Sequence, residues 1–375
     1  MTRTRKIILG TLSVISGLLV LAVVVLGVAI SHDSPCKPAP ALADHVDRMK
    51  AVAYRCYGSP EVLKVEELEK PTPGDEQVLV KVRAASINPL EWHYMEGKPY
   101  LARPMIGLGA PDDPRLGVDF AGTVEAVGKK VTKFKVGDEV FGGRDGALGQ
   151  YVNVREAGSI VLKPTNMTFD QAASVPVAAI TALQGLRDSA KVHAGQKVLI
   201  NGASGGVGTF AVQIAKSMGA EVTGVCSTRN VDLVKSLGAD HVIDYTREDF
   251  TQGTQHYDVI FDTVGSHSLS EYRRVMTPDG IFVIVGGPST DPWIGPMITP
   301  LKAKLMAPFV SQKFQFFLAE INPQDLVLLG NMMQAGKLTP VIDRTYPLSD
   351  IQAAMRYLLA GHARGKVVIE VGDSS

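Results

Sequence analysis

An apolar run that enters a glycine turn and leaves it as a helix limits this fold more than any other stretch: Lys197-Val-Leu-Ile-Asn-Gly-Ala-Ser-Gly-Gly-Val-Gly208. Val198, Leu199 and Ile200 read as a short strand buried on both faces. Beyond the turn, Val207, Phe210, Ala211, Ile214, Ala215 and Met218 recur at helical spacing, and Gly219 stands where a C-cap belongs. Ala203-x-Gly205-x-x-Gly208 fits the dinucleotide fingerprint, with alanine in the first glycine position. Backbone without a side chain at Gly205 can approach a pyrophosphate, Gly208 lets helix and strand pack closely, and the helix N-terminus attracts phosphate charge. Ser204, Gly205, Gly206 and Val207 are therefore the expected phosphate cradle.

The next strand, Glu221–Cys226, is followed by Ser227-Thr228-Arg229. A site for the non-phosphorylated nicotinamide dinucleotide usually has a carboxylate about 20 residues past the glycines, for the ribose 2′-hydroxyl. Here a hydroxyl and a guanidinium stand in that place, and Arg229 can hold a 2′-phosphate that a carboxylate would repel. NADPH is the favoured cofactor; Asp232 as a ligand for NAD is the alternative.

The α/β pattern continues through a helix over Val231–Leu237 and strands over His241–Tyr245, Tyr257–Asp262 and Ile281–Val285, the last entered by a turn at Pro278-Asp-Gly280. Such alternation predicts a doubly wound parallel sheet with its ligand at the carboxyl ends of the strands. Tyr245, Val264-Gly265 and Gly286-Gly287 lie at such ends and are expected along the cofactor groove. Upstream, short extended runs separated by Gly, Pro and Asp, among them Glu76–Val82, Asp119–Val127 and Glu139–Phe141, predict a mostly β domain.

Ser86-Ile-Asn-Pro89, Gly117-Val-Asp-Phe-Ala-Gly122 with Val127-Gly128, Val136-Gly-Asp-Glu-Val-Phe141, Val175-Pro176 with Thr181-Ala182, and the glycine turn occur in one order. With that set, the chain resembles the medium-chain dehydrogenase/reductase superfamily, most closely its zinc-independent quinone oxidoreductase and enoyl reductase branch, from about Met49 to Val371. The resemblance implies a GroES-like catalytic domain over 49–175, a Rossmann domain binding NADPH over 176–321, and a segment over 322–375 that returns to the first domain.

Departures from the alcohol dehydrogenase branch sharpen the expectation. That branch takes a zinc ligand from a Gly-His-Glu motif; here Val118 and Asp119 occupy the histidine and glutamate positions. With only Cys36, Cys56 and Cys226 in the chain, a four-cysteine zinc lobe is impossible, so no metal is expected. Hydride chemistry without a metal suits an acceptor that spreads the incoming charge itself, such as a quinone or an α,β-unsaturated carbonyl, aided by hydrogen-bond donors at the developing oxyanion. The resemblance puts Asn88 at the cleft as a donor, Tyr100 near a proton-donating tyrosine position with Tyr94 as the alternative, and Thr181 and Lys366 beside the cofactor. Enoyl-thioester reduction and a non-catalytic NADPH-binding scaffold or sensor are the competing readings.

Ile7–Ile30 contains no charged residue and follows Arg3, Arg5 and Lys6 in a basic 1–6 stretch. Its length predicts a transmembrane anchor over 7–30, with the bilayer as a partner, a signal cleaved at Ala29-Ile-Ser31 being the alternative, and a tether with three prolines over 31–48. The expectation is a single-pass membrane protein, the side of the catalytic domain left open because the basic flank and a cytosolic cofactor argue in opposite directions. Thirty-eight basic residues balance 38 acidic ones, so there is no nucleic-acid footprint. A homodimer is admitted but not required. Trp293–Ala319 is apolar but broken by Pro296, Pro300 and Pro308 and three lysines, which argues against a second span; its phenylalanines are expected at a substrate mouth or in the core.

Overall fold

A computed structural model describes residues 3–287 and 291–372, with the side chains of the first helix described from residue 16 onward. That helix, α1, runs Arg3–Ser31. The catalytic half follows as β1 (Arg48–Ala53), β2 (Lys64–Glu69), β3 (Gln77–Ile87), α2 (Pro89–Glu96), α3 (Arg103–Ile106), β4 (Asp119–Val127), β5 (Glu139–Gly143), β6 (Tyr151–Arg155), β7 (Ile160–Leu162) and α4 (Phe169–Ala173). Helix α5 (Pro176–Gln184) leads into the nucleotide half: β8 (Lys197–Asn201), α6 (Gly206–Ser217), β9 (Glu221–Cys226), α7 (Val231–Ser236), β10 (His241–Asp244), β11 (Tyr257–Asp262), α8 (Leu269–Arg274), β12 (Met276–Ile284), α9 (Ile298–Met306) and β13 (Lys313–Phe316). The chain closes with α10 (Pro323–Gln334), β14 (Ile342–Pro347), α11 (Ile351–Leu359) and β15 (Lys366–Glu370).

The nucleotide sheet is parallel throughout in the order β10-β9-β8-β11-β12-β13. By chain order this is the 3-2-1-4-5-6 winding of a Rossmann sheet, whose crevice opens where the order reverses, between β8 and β11. Val198, Leu199 and Ile200 are fully buried, as two covered faces demand. The glycine turn closes because Gly202 sits at φ 84° and because a Cβ on Gly208 would overlap the carbonyl oxygen of Gly202. The second sheet, β14-β15-β3-β4-β5-β7 with β6 also on β3, takes the two strands at one edge, β14 and β15, from the C-terminal segment. Strand β15 pairs antiparallel with β3, setting Val367 opposite Ile87, so the last strand crosses back from the nucleotide half and seals the cleft.

Two local readings change. Pro278-Asp-Gly280 is not a turn ahead of the strand; β12 runs through it as an irregularity, the register against β11 jumping from Met276 to Ile281. In the apolar 293–319 stretch, Phe314 belongs to edge strand β13 and packs against Phe282, while Phe309 is exposed.

The N-terminal expectation is corrected. Among the described residues no helix is long and apolar enough to cross a membrane. A single-pass membrane placement is therefore not supported, and neither is the bilayer as a partner. Nor is the start of the 31–48 stretch a loose tether. Fully buried Arg103 donates from Nη1 to Ile30 O (3.1 Å) and His32 O (3.0 Å), from Nη2 to Asp33 Oδ1 (2.6 Å), and from Nε to Gly97 O (2.8 Å). A cation at the end of α1 also suits the carbonyls it leaves unpaired. Ser34 N donates to Gly109 O (2.8 Å), and a Cys36–Cys56 disulfide fastens the segment to the catalytic half.

That cross-link closes a loop 20 residues long. Reduction, or Cys36→Ser, is expected to cost about 3 kcal/mol through the freedom returned to the unfolded chain. Equilibrium denaturation with and without a dithiol reductant measures it; coincident curves would mean the loop adds nothing.

Candidate active site

A cavity of about 1090 Å³ lies where the two sheets meet, above the carboxyl ends of β8, β9 and β11. Ser204, Gly205, Gly206 and Val207 line one side at the start of α6, and Ser227, Arg229 and Tyr245 line the far end. Asn230 Nδ2 donates to Ser204 Oγ (2.9 Å) and Ser227 Oγ (3.2 Å), locking the two turns together. Arg229 Nη2 donates to His362 O (2.6 Å), which holds its guanidinium at the rim. Val264 lines the wall on the loop after β11. Buried Asp262 shapes that loop by accepting from Val264 N (3.1 Å) and Gly265 N (3.0 Å), while Asn201 Nδ2 donates to its Oδ1 (2.9 Å). Burial raises the pKa of Asp262, against the pull of those donors.

The floor belongs to the catalytic half. Asn88 follows β3 and caps α2, and Pro89 takes the first helical position. Lys366 begins β15, and Asp119 begins β4. All three are buried. Lys366 Nζ donates to Asn88 Oδ1, to Asp119 Oδ2 (3.3 Å) and to Ile87 O (3.4 Å), so its three N–H bonds each have an acceptor. Asp119 also accepts from Asn88 Nδ2 (3.0 Å), Ser86 Oγ (2.8 Å) and Val177 N (2.9 Å). The Asn88 amide is thereby oriented: its oxygen faces the ammonium, one N–H meets the carboxylate, and one N–H is left for the cavity it lines. Glycine turn and floor touch. Gly205 forms a bridge with Gly365, and a Cβ on Gly206 would lie 3.2 Å from Lys366 Cδ.

Gly265 and Gly287, expected along the groove, do not reach this lining, and neither do four other expected residues. Thr181 spends its hydroxyl on Val177 O (2.7 Å), and Ala178, nearly a turn earlier, lines the cavity instead. Gly286 packs beneath Thr263, its backbone N–H on Asp262 O (3.2 Å). Tyr94 is half-buried in the core of the catalytic half, and burial pushes its phenol up. Tyr100 stacks on the Arg103 guanidinium (4.6 Å) and meets Trp293 edge-on (5.2 Å), its backbone N–H held by Pro292 O (2.8 Å). It braces the chain at Pro292 and Trp293.

Three contributors escaped the sequence reading. Asp119 drew notice only as the stand-in for a glutamate, although its place at the head of β4 beside Asn88 makes it the counter-ion of Lys366. Glu91, three residues past Asn88, accepts from Asn88 N (2.7 Å); the Asn-x-x-Glu spacing of a capping box was the available signal. Trp92 supplies an aromatic wall.

Residues for zinc do not fit. Val118 offers no ligand atom, burial lowers the pKa of His93, which stacks on Trp92 (5.2 Å), and no group of three or more His, Cys, Asp or Glu among the described residues can hold a metal.

Comparison with known proteins agrees with this architecture. A model of the alcohol dehydrogenase GroES-like domain matches residues 74–165, and one described as zinc-binding dehydrogenase matches residues 237–369. The chain is 35% identical over 339 residues to the 2-methylene-furan-3-one reductase of Solanum lycopersicum, spanning 86% of this chain and 79% of that protein. It is 34% identical over 339 residues to the chloroplastic NADPH-dependent alkenal/one oxidoreductase of Arabidopsis thaliana, with the same coverage of 86% and 79%. The solved quinone oxidoreductase of Coxiella burnetii superposes with a TM-score of 0.76 at 31% identity, covering 87% of this chain and all of the other.

Proposed function

The chain belongs to the medium-chain dehydrogenase/reductase superfamily, in its zinc-independent quinone oxidoreductase and enoyl reductase branch, and on that premise we propose that it reduces quinones or α,β-unsaturated carbonyls without a metal. It is an NADP-dependent oxidoreductase of the quinone/enone reductase type. When bound, NADPH supplies a hydride. Ser204, Gly205, Gly206 and Val207 cradle its pyrophosphate at the start of α6, and Ser227 and Arg229 receive the 2′-phosphate, with Tyr245 beside them.

The observation that carries the reading is the floor of Asn88, Lys366 and Asp119. A hydride delivered to a conjugated carbonyl sends a pair of electrons to its oxygen, and the oxygen becomes an anion. Asn88, its amide fixed at both ends, points its remaining N–H toward that oxygen. The Lys366 ammonium behind it, paired with Asp119, holds the Asn88 oxygen and fixes the amide in a site shielded from water. Both groups are set before substrate arrives, so little reorganisation accompanies the charge shift. Enoyl thioesters offer the same conjugated carbonyl but lose one support, because Tyr100 is committed to Arg103 and Trp293.

The test is purified enzyme with NADPH and a panel of quinones, enals, enones and enoyl thioesters, followed at the reduced-nicotinamide absorbance, before and after chelation. Turnover with enones or quinones that survives chelation is expected. No turnover with either class, or activity lost with a stoichiometric metal removed, would sink the proposal.

A further inference from the structure

Glu91 sits in the first turn of α2, wholly buried. One carboxyl oxygen, Oε2, accepts from the backbone N–H of Asn88 at 2.7 Å. The other, Oε1, is buried without a hydrogen-bond partner in the structure. An ionised carboxylate with a bare oxygen is among the most costly arrangements an interior can hold, and a proton on that oxygen removes most of the cost.

The charges around it point the same way. Lys366 of β15 and Asp119 of β4 pair at 3.3 Å and cancel each other. Helix α11, packed on α2, turns Arg356 toward Glu61 at the surface and Tyr357 toward Asp343, so neither compensates Glu91. On its own helix Tyr94 is a neutral phenol with its pKa raised, and His93 has its pKa lowered by burial. A second negative charge in this pocket has no cation of its own.

We infer that Glu91 is a proton-holding positioning residue: it fixes Asn88 through the backbone N–H, and its proton keeps the Lys366–Asp119–Glu91 group neutral beneath the point where substrate becomes anionic. Burial first, and the Asp119 charge second, push its carboxyl up to about 7, with Lys366 pulling the other way. Its proton is therefore lost as pH rises through neutrality. Ionisation takes the group from net zero to minus one and opposes the oxyanion that Asn88 is meant to stabilise. Hydride transfer slows on the alkaline side. Glu91 touches neither substrate nor cofactor; it acts through Asn88.

This inference rests on the reductase reading above, and two measurements keep their failures apart. In single-turnover stopped flow with an enone or quinone, the wild-type rate is expected to fall about tenfold as pH rises through the Glu91 titration, the equivalent of roughly 1.4 kcal/mol in barrier. Glu91→Gln keeps an acceptor for Asn88 N–H but cannot ionise, so its profile should be flat across that range. Glu91→Leu removes the acceptor as well and should be flat but slower at every pH, which separates the charge from the cap. Independently of any substrate, infrared spectra of the ligand-free enzyme near pH 6 should show a protonated-carboxyl band that Glu91→Gln lacks. An alkaline limb that persists in a Glu91→Gln enzyme of unchanged melting temperature would overturn the inference, as would absence of the band. If no acceptor is reduced, the reductase reading fails while the infrared result still decides the proton on Glu91.

Discussion

Lys366→Met is expected to destabilise the fold by about 3–5 kcal/mol and to slow hydride transfer at least roughly 100-fold. Methionine fills similar space but leaves Asp119, with no exposed surface, as a buried carboxylate without its cation. Ser86, Asn88 and Val177 still donate to it, but dipoles replace an ammonium only in part. Asn88 loses the donor to its Oδ1, so its amide is no longer held with an N–H toward the cavity. A second substitution separates stability from chemistry. In Lys366→Met/Asp119→Asn the buried charge is gone, so much of the lost stability should return while hydride transfer stays slow. Denaturant unfolding and single-turnover kinetics on both variants are the measurements. Unchanged stability in Lys366→Met would show that the pair is not the buried ion pair described here.

Cofactor choice supplies the other large effect. A 2′-phosphate beside Arg229 and Ser227 gains charge-assisted hydrogen bonds of about 1.5–3 kcal/mol each, and about 1.4 kcal/mol already gives a tenfold preference. Wild-type protein is expected to bind NADPH at least roughly tenfold more tightly than NADH. Its guanidinium is already anchored at the rim by His362 O, so little side-chain freedom is lost on binding. Arg229→Ala should erase most of the preference by weakening NADPH alone. Arg229→Asp should reverse it, since a carboxylate repels the phosphate and accepts from the 2′-hydroxyl. Titration of intrinsic fluorescence with each nucleotide checks this. Full discrimination in Arg229→Ala would move the reading to Tyr245, because Lys366 lies inside on Asn88 and Asp119 and away from the rim.

What could be read from the chain alone is what local pattern encodes. The Val198–Ile200 run, the glycines and the helical spacing after them act within about 20 residues, and they predicted strand, turn and helix where all three occur. The cavity residues on those turns, from Ser204 to Arg229, followed. Pairings between distant segments leave no such mark. Nothing near Asp119 announces a lysine 247 positions later, and the mutual choice of Cys36 and Cys56 depends on how 30–36 docks around Arg103. The tyrosines failed differently. Tyr100 stands one residue off the position that the resemblance gives a proton-donating tyrosine, and Arg103 and Trp293 recruit its ring into a brace. Apolar composition misled most at the start of the chain, where α1 invites a membrane reading although no helix among the described residues is long and apolar enough to cross a membrane.

Strand β15 gives the molecule an indivisibility that its two sheets conceal. The same few residues close one wall of the nucleotide groove through the Gly205–Gly365 bridge, complete the catalytic sheet against β3, and deliver the cation of the floor. Exchange of nucleotide modules between relatives, cut only at the two ends of the Rossmann sheet, would therefore mate a foreign glycine turn with the host's Gly365 and Lys366. Chimaeras have to treat that seam as a single part and transplant both of its sides together.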